Sequence, residues 1–255
     1  MLLQVEQLKK YYGHEPQLTK ALDGISFGVG EGEFLGIMGS SGSGKTTLLN
    51  CLATVTRPTS GRVFLDGQSL ADLNEKALAA YRGNKIGYLF QNFELLDNLT
   101  AAENILLPAS LHNVPEPACR KRLAYLAEYL GVSDILSKFP AQLSGGEKQR
   151  IAAARSLLLD PAIVYADEPT GALDSQNAAL LMEQLKEMNE LEGTTILMVT
   201  HDPAAASFCK RILFIQDGKL FHEIRKDHPR ESREAFYHRI LEVRAKLEGG
   251  VLHVF

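Results

Sequence analysis

Residues 39–46, Gly39-Ser40-Ser41-Gly42-Ser43-Gly44-Lys45-Thr46, fit the pattern G-x-x-x-x-G-K-[ST] in full. The preceding run, Glu33-Phe34-Leu35-Gly36-Ile37-Met38, is apolar and stops at the first glycine, as a buried strand does. From Lys45 to Leu52 the pattern becomes helical. Strand, glycine-rich loop and helix in that order commit the chain to an α/β core. The glycines permit positive φ and close backbone approach, so successive N–H groups can point at one anion. The start of the helix adds its positive dipole end. A phosphate cradle is therefore expected from Gly39, Ser40, Ser41, Gly42, Ser43 and Gly44. Lys45 is placed to reach the β- and γ-phosphates of a nucleotide, Thr46 to offer a hydroxyl to Mg²⁺, and Thr47 to touch the α-phosphate. A flexible Gly/Ser linker is the plain alternative, and the flanking strand and helix argue against it.

Two further segments bear on the same chemistry. Ala162-Ile163-Val164-Tyr165-Ala166 is continuously apolar, as a buried parallel strand requires, and Asp167, Glu168 and Pro169 follow it. A carboxylate at such a strand end can hold Mg²⁺ through its water shell, which makes Asp167 a metal candidate. Glu168 is the candidate general base for an attacking water. A solvated acidic turn would have the same composition. Leu143-Ser144-Gly145-Gly146-Glu147 reads first as a capping box, with Ser144 at the N-cap and Glu147 three residues on. Two glycines in a first helical turn cost ~1 kcal/mol each against alanine, and capping does not need them. A phosphate approaching the helix end does need bare backbone. Since the chain already carries one cradle, Ser144, Gly145 and Gly146 are expected to complete the cradle of a second copy.

The rest of the chain frames these segments. The 255 residues carry a net charge of −4, which gives no reason to expect nucleic-acid binding. No apolar run approaches the ~18 residues that span a bilayer. The first residues, MLLQVEQLKK, lack a basic lead and are not expected to form a secretion signal. Cys51, Cys119 and Cys209 are far apart, without metal spacing, and suggest a reducing compartment. His222, His228, His238 and His253 show no ligand spacing either. A cytoplasmic protein follows, with any membrane role through a partner.

Short β-like runs occupy 2–12, 25–29 and 62–66, and 195–199 reads as another buried strand. Between Gln91 and Leu143 the sequence favours helix, with Leu123, Leu126 and Leu130 at helical spacing. The Ser144 helix is expected to run to about Leu159. Asp217-Gly218, between apolar runs at 211–216 and 219–221, predicts a hairpin. Phe236, Ile240, Val243 and Leu247 mark a terminal amphipathic helix, packed on its own core or against a partner. The expected division is a nucleotide-binding core over 1–90 and 159–229, a helical subdomain over 91–158 and a helical tail over 230–255.

LSGGEKQR at 143–150, IVYADEPTGALD at 163–174 and VTHD at 199–202 resemble the signature, Walker B, D-loop and switch motifs of ABC-transporter ATPases. The likeness runs over roughly residues 2–221. It implies a P-loop NTPase (RecA-like) parallel-sheet core with an antiparallel β subdomain and a helical insert. It also implies ATP and Mg²⁺ as cofactors and a homodimer that sandwiches two ATP molecules. Tyr12 resembles the aromatic that stacks on adenine, with Tyr11 its neighbouring competitor. Gln91, in Ile86-Gly87-Tyr88-Leu89-Phe90-Gln91, resembles the hinge glutamine that senses Mg²⁺. Asp174 resembles the D-loop residue that crosses the dimer, and His201 the switch histidine on the γ-phosphate. Glu147 departs from the glutamine often found there, although both residues cap.

MGSSG at 38–42, ATVTRPTSG at 53–61, ENILLP at 103–108 and PTGALD at 169–174 resemble the group that serves lipoprotein-release, macrolide-export and cell-division permeases. Within it, CLATVTRPTSG at 51–61, ILMVTHD at 196–202 with SFCKR at 207–211, and a helical tail ending in VLHVF are most similar to the ATPase of bacitracin-resistance (BceAB-type) transporters. That likeness implies a permease with a large extracellular domain that binds two copies at the cytoplasmic face of the membrane. It further implies protection from cell-wall-targeting peptide antibiotics and signalling to a sensor histidine kinase. ATPases of lipoprotein-release, macrolide-export and cell-division permeases share much of the pattern and form the alternative.

Overall fold

The computed structural model describes residues 1–227 and 230–248. Among the described residues the chain forms ten strands and eight α-helices. They run β1 (Leu3–Tyr12), β2 (Thr19–Val29), β3 (Phe34–Met38), α1 (Lys45–Leu52), β4 (Ser60–Leu65), β5 (Gln68–Ser69), α2 (Glu75–Lys85), β6 (Ile86–Leu89), α3 (Ala101–Leu111) and α4 (Glu116–Tyr129). After these come α5 (Gly145–Leu157), β7 (Ile163–Asp167), α6 (Ser175–Leu191), β8 (Ile196–Thr200), α7 (Pro203–Ala206), β9 (Arg211–Gln216), β10 (Lys219–Arg225) and α8 (Arg233–Glu248). One sheet is antiparallel, in the order β2-β1-β4-β5, and the other has the order β10-β9-β3-β8-β7-β6. In the second sheet the pairings from β9 to β6 are parallel and only β10 runs against its neighbour.

Strict alternation along the central strands explains how that sheet is covered on both faces. Leu35, Ile37, Tyr165, Leu197, Val199, Leu213 and Ile215 join one core with α1 and the antiparallel sheet. Phe34, Met38, Val164, Ala166, Ile196, Met198, Ile212 and Phe214 join the other, with α3 to α6 and α8.

Several elements differ in extent from their sequence patterns. β2 starts at Thr19, well before the apolar run, because β1 pairs with it as far as Tyr12 opposite Thr19. β10 continues to Arg225, opposite Arg211 on β9. α5 stops at Leu157, short of Leu159, and the chain turns away through Asp160, which precedes Pro161, is kept out of the helical region by it and has a φ of +49°. The Asp217-Gly218 turn has positive φ at both residues, as a tight hairpin demands. Of the terminal helix, Phe236 and Ile240 are buried and Val243 and Leu247 pack beside them, so α8 lies on its own chain's core. His228, His253 and the VLHVF ending lie outside the described residues. All three cysteines are free and buried, and the described residues contain no cluster of metal ligands. Among them, no helix is long and apolar enough to cross a membrane.

Candidate functional site

Parallel sheets place their ligand sites at the carboxyl ends of the strands. Here β3 runs into the 39–44 loop, β7 into Asp167 and Glu168, β8 into His201, and β6 into Gln91. Motifs far apart in sequence therefore meet around one cleft of about 1000 Å³. Gly39, Ser40, Ser41, Gly42, Gly44, Lys45, Thr46, Thr47, Gln91, Glu168 and His201 all line it.

The loop is shaped by its glycines. Gly42 and Gly44 have φ of +78° and +101°, a region that side chains disfavour. A Cβ on Gly39 would strike the carbonyl of Ile215, and one on Gly44 the carbonyl of Ala21. Gly44 is the N-cap of α1 and no side chain caps that helix. The first-turn N–H groups of α1 thus have no side-chain acceptor and suit an anion. Lys45 is almost fully buried, and its Nζ donates to the carbonyls of Gly39 and Ser40 at 2.9 Å each. Burial lowers its pKa, opposed by the nearby Glu168 and Asp167 carboxylates. Ser43 is buried within the loop rather than on the cleft surface.

Behind the loop, Thr46 Oγ1 donates to Asp167 Oδ1 at 3.4 Å. Burial, and then the charge of Glu168, push the Asp167 carboxyl up. A hydroxyl beside a carboxylate that is costly to ionise is a donor set suited to a hard divalent cation. Glu168 carries a left-handed backbone with φ +47°, uncommon for a residue with a side chain. Its N–H donates to Val199 O and its carbonyl accepts from Gly171 N–H, both at 2.9 Å, which holds the strained residue in place. Its carboxylate pairs with His201 Nδ1.

Not every expected residue reaches this cleft. Tyr12 stands at the end of β1, 44% exposed, with Lys10 Nζ 5.0 Å from its ring centre. Its strand partner Thr19 lines the cleft. Tyr11 is engaged elsewhere, its hydroxyl donating to Asp23 at 2.6 Å. Ser144, Gly145, Gly146 and Asp174 lie away from the cleft lining.

The Ser144 segment forms the capping box that its sequence predicts. Ser144 N–H and Oγ donate to Glu147 Oε2 at 2.7 and 2.8 Å, and Glu147 N–H returns to Ser144 Oγ at 3.3 Å. These bonds hold the Glu147 carboxyl below the usual range. The two glycines divide here in what the chain's own packing asks of them. A Cβ on Gly146 would run into the side-chain amide of Asn177, so packing on α6 alone requires a glycine. Gly145 is exposed, and a Cβ there would meet only ordinary contacts at 3.7 and 3.8 Å. Asp174 caps α6 by accepting from Asn177 N–H at 2.9 Å, with Asn177 Nδ2 on its second oxygen at 2.7 Å. Arg150 Nη1 donates to Asn177 Oδ1 at 3.1 Å, tying α5 to the same corner.

No motif assigns a role to Asn177, to Arg155 or, although it falls within LSGGEKQR, to Gln149. Gln149 is fully buried, and its Nε2 joins the Phe90 carbonyl at 3.1 Å to the Pro169 carbonyl at 2.7 Å. Arg155 donates to Glu94 O at 2.5 Å and Phe93 O at 2.6 Å, two residues with φ of +49° and +64°. Helix α5 therefore holds the loop that carries Gln91 by three carbonyls. The available signal was a glutamine on the otherwise apolar face of α5, beside Ala152, Ala153 and Ser156, where a buried amide must find partners.

Comparison with known proteins finds relatives over most of the chain. The family described as ABC transporter matches residues 22–171. The bacitracin export ATP-binding protein BceA of Halalkalibacterium halodurans is 43% identical over 248 residues, covering 97% of each chain. The lipoprotein-releasing system ATP-binding protein LolD of Aquifex aeolicus is 44% identical over 224 residues, 88% of this chain and 97% of its own. The dimeric, post-hydrolysis structure of the ATP-binding cassette MJ0796 bound to ADP and Pi superposes with a TM-score of 0.81 at 37% identity, covering 88% of this chain and 98% of that one.

Proposed function

Since this chain belongs to the ABC transporter family, we propose that it is the ATP-hydrolysing subunit of a transporter protecting cells against cell-wall-targeting peptide antibiotics of the bacitracin kind. The carrying observation is the reach of the likeness: the bacitracin-export relative matches 97% of this chain, a span that takes in most of α8. The lipoprotein-releasing relative uses 97% of itself to match only 88% of this chain. The subunit sits at the cytoplasmic face of the membrane on a permease with a large extracellular domain, through which a sensor histidine kinase is signalled. The core over 1–90 and 159–229, the helical subdomain over 91–158 and the tail over 230–255 are its working parts.

Two copies bind head to tail. Each ATP lies between one chain's 39–46 loop and the Ser144, Gly145 and Gly146 backbone of the other, where the exposed Gly145 supports such an approach. Lys45 and the α1 N-terminus bind the phosphates, and Tyr12 stacks on the base. Glu168 takes the proton of the attacking water and His201 orients the γ-phosphate, so catalysis is mostly positioning and charge stabilisation. Asp174 reaches across the dimer from the start of α6. Thr46, Asp167 and Gln91 would hold Mg²⁺, which supplies charge neutralisation on the phosphate oxygens when bound.

Deleting the gene tests the assignment. Growth in bacitracin should fail at concentrations that the parent strain tolerates. Unchanged tolerance with chaining cells would move the chain to a cell-division permease, and stranded lipoproteins would move it to lipoprotein release. The latter reading has its own support in the 44% identity to LolD. For the dimer, turnover per chain should rise with protein concentration; a constant rate from a proven monomer would remove it.

A further inference from the structure

Helix α8 lies outside the residues 22–171 matched by the family, and its packing is aimed at the segment that carries His201. α7 starts at Pro203, just after His201 and Asp202, and is only four residues long. A helix that short does not hold its own conformation and takes its position from what covers it. Asp202 caps it through the N–H groups of Ala204 and Ala205, and α8 packs against it. Phe236 and Ile240, both 0% exposed, share a core with Ala205, Ala206 and Phe208. The Arg233 guanidinium lies 4.3 Å from the centre of the Phe208 ring, and Arg239 secures the start of the helix to Glu231 and to the Arg225 carbonyl. Farther along, Arg244 Nη1 donates to the main-chain carbonyl of His201 at 3.5 Å. Arg244 and Leu247 also line the nucleotide cleft beside Glu168 and His201.

We propose that α8 is a positioning element of the ATPase site, in which Arg244, anchored by Phe236 and Ile240, sets the His201 imidazole against Glu168. The nucleotide is bound by the 39–47 loop, so α8 governs the hydrolytic step rather than binding. This rests on the reading of His201 as the γ-phosphate contact. A displacement of a catalytic group by about 1 Å is enough to slow a reaction severely. The guanidinium is cationic and draws the carbonyl through charge as well as through a long hydrogen bond.

The test is a double-mutant cycle in the full chain, with steady-state hydrolysis and nucleotide affinity measured for Arg244→Ala, Arg244→Lys, His201→Ala and the pair. Arg244→Ala should lower kcat roughly fivefold, within the range of a positioning coupling, and leave the KM for ATP nearly unchanged. Arg244→Lys should recover part of the loss, because an ammonium still donates to a carbonyl. In the His201→Ala background, Arg244→Ala should do nothing more. An unchanged kcat, a loss confined to KM, or the same factor in both backgrounds would overturn the proposal. If His201→Ala alone turns over normally, it is the reading of His201 that fails. Should Arg244→Ala melt below the assay temperature, Arg244→Gln, which keeps the packed stem, carries the same comparison.

Discussion

The 39–46 loop and the 144–147 segment are both glycine-bearing helix starts, yet they are finished differently. At α1 the glycines are demanded by the chain's own fold, two of them with positive φ, and no side chain caps the helix. At α5 neither glycine has positive φ, and a capping box of Ser144 and Glu147 spends the Glu147 N–H on the chain's own hydroxyl. One glycine there, Gly146, is spoken for by Asn177. Only Gly145 is left without a reason inside the chain. The contrast teaches that glycine content alone does not mark a phosphate site; what marks it is a helix end whose donors the chain leaves unspent, or bare backbone that its own packing does not require.

The largest effect should come from the enclosed site. Glu168→Gln is expected to keep ATP binding and to lower hydrolysis by ~10²-fold or more, measured by nucleotide titration beside phosphate release. Near-normal turnover would remove Glu168 as the base. Next, replacing Gly145 with a bulky residue such as Gln should leave the fold and the single-chain affinity for ATP intact while cutting turnover about tenfold or more, since only the second copy's cradle is obstructed. A fall in ATP affinity of the isolated chain would break the comparison, because Gly145 would then serve its own site.

Gly146→Ala should behave in the opposite way. The clash with Asn177 should destabilise the chain by ~1–3 kcal/mol, read by denaturant melts. Asn177→Ala should relieve most of that cost, and an unaltered melt in the single variant would return Gly146 to the ligand-facing group.

The smallest effect concerns pH in nucleotide-free, chelator-treated protein. Asp167 has a folded pKa raised by burial, so its charged form opposes folding at neutral pH and this penalty disappears as pH falls through the raised value. Glu147 has a folded pKa lowered by Ser144, so its contribution is favourable above the ordinary carboxylate range and is lost as pH falls through the lowered value. Asp167→Asn should therefore melt slightly higher than the parent at neutral pH and Glu147→Gln slightly lower. Both differences should close in strong acid. Shifts of the same sign in the two variants would show that the buried strand-end carboxylate and the capping carboxylate do not differ as described.

Legibility followed the range of the underlying interactions. The cradle, the capping box, the Asp217-Gly218 hairpin and the apolar strands were readable because each is decided within a few residues by φ preferences, local donors or a period of two. Gln149 and Arg155 were not, since their partners Phe90, Pro169, Phe93 and Glu94 lie many residues away and are main-chain carbonyls that leave no trace in side-chain pattern. The same holds for Asn177, whose role exists only because α6 crosses the start of α5. For the tail, helical spacing of Phe236 and Ile240 was visible but not the surface they would meet.

By itself the sequence determined a strand–loop–helix phosphate cradle, an acidic strand end and a self-capped helix start, all products of local backbone physics. Only the tertiary structure decided that Gln91, Glu168 and His201 face one cleft, because the strand order β9-β3-β8-β7-β6 is set by long-range pairing and two-sided burial. It also separated Gly145 from Gly146, two identical residues in sequence, through a steric contact with a helix some thirty residues on.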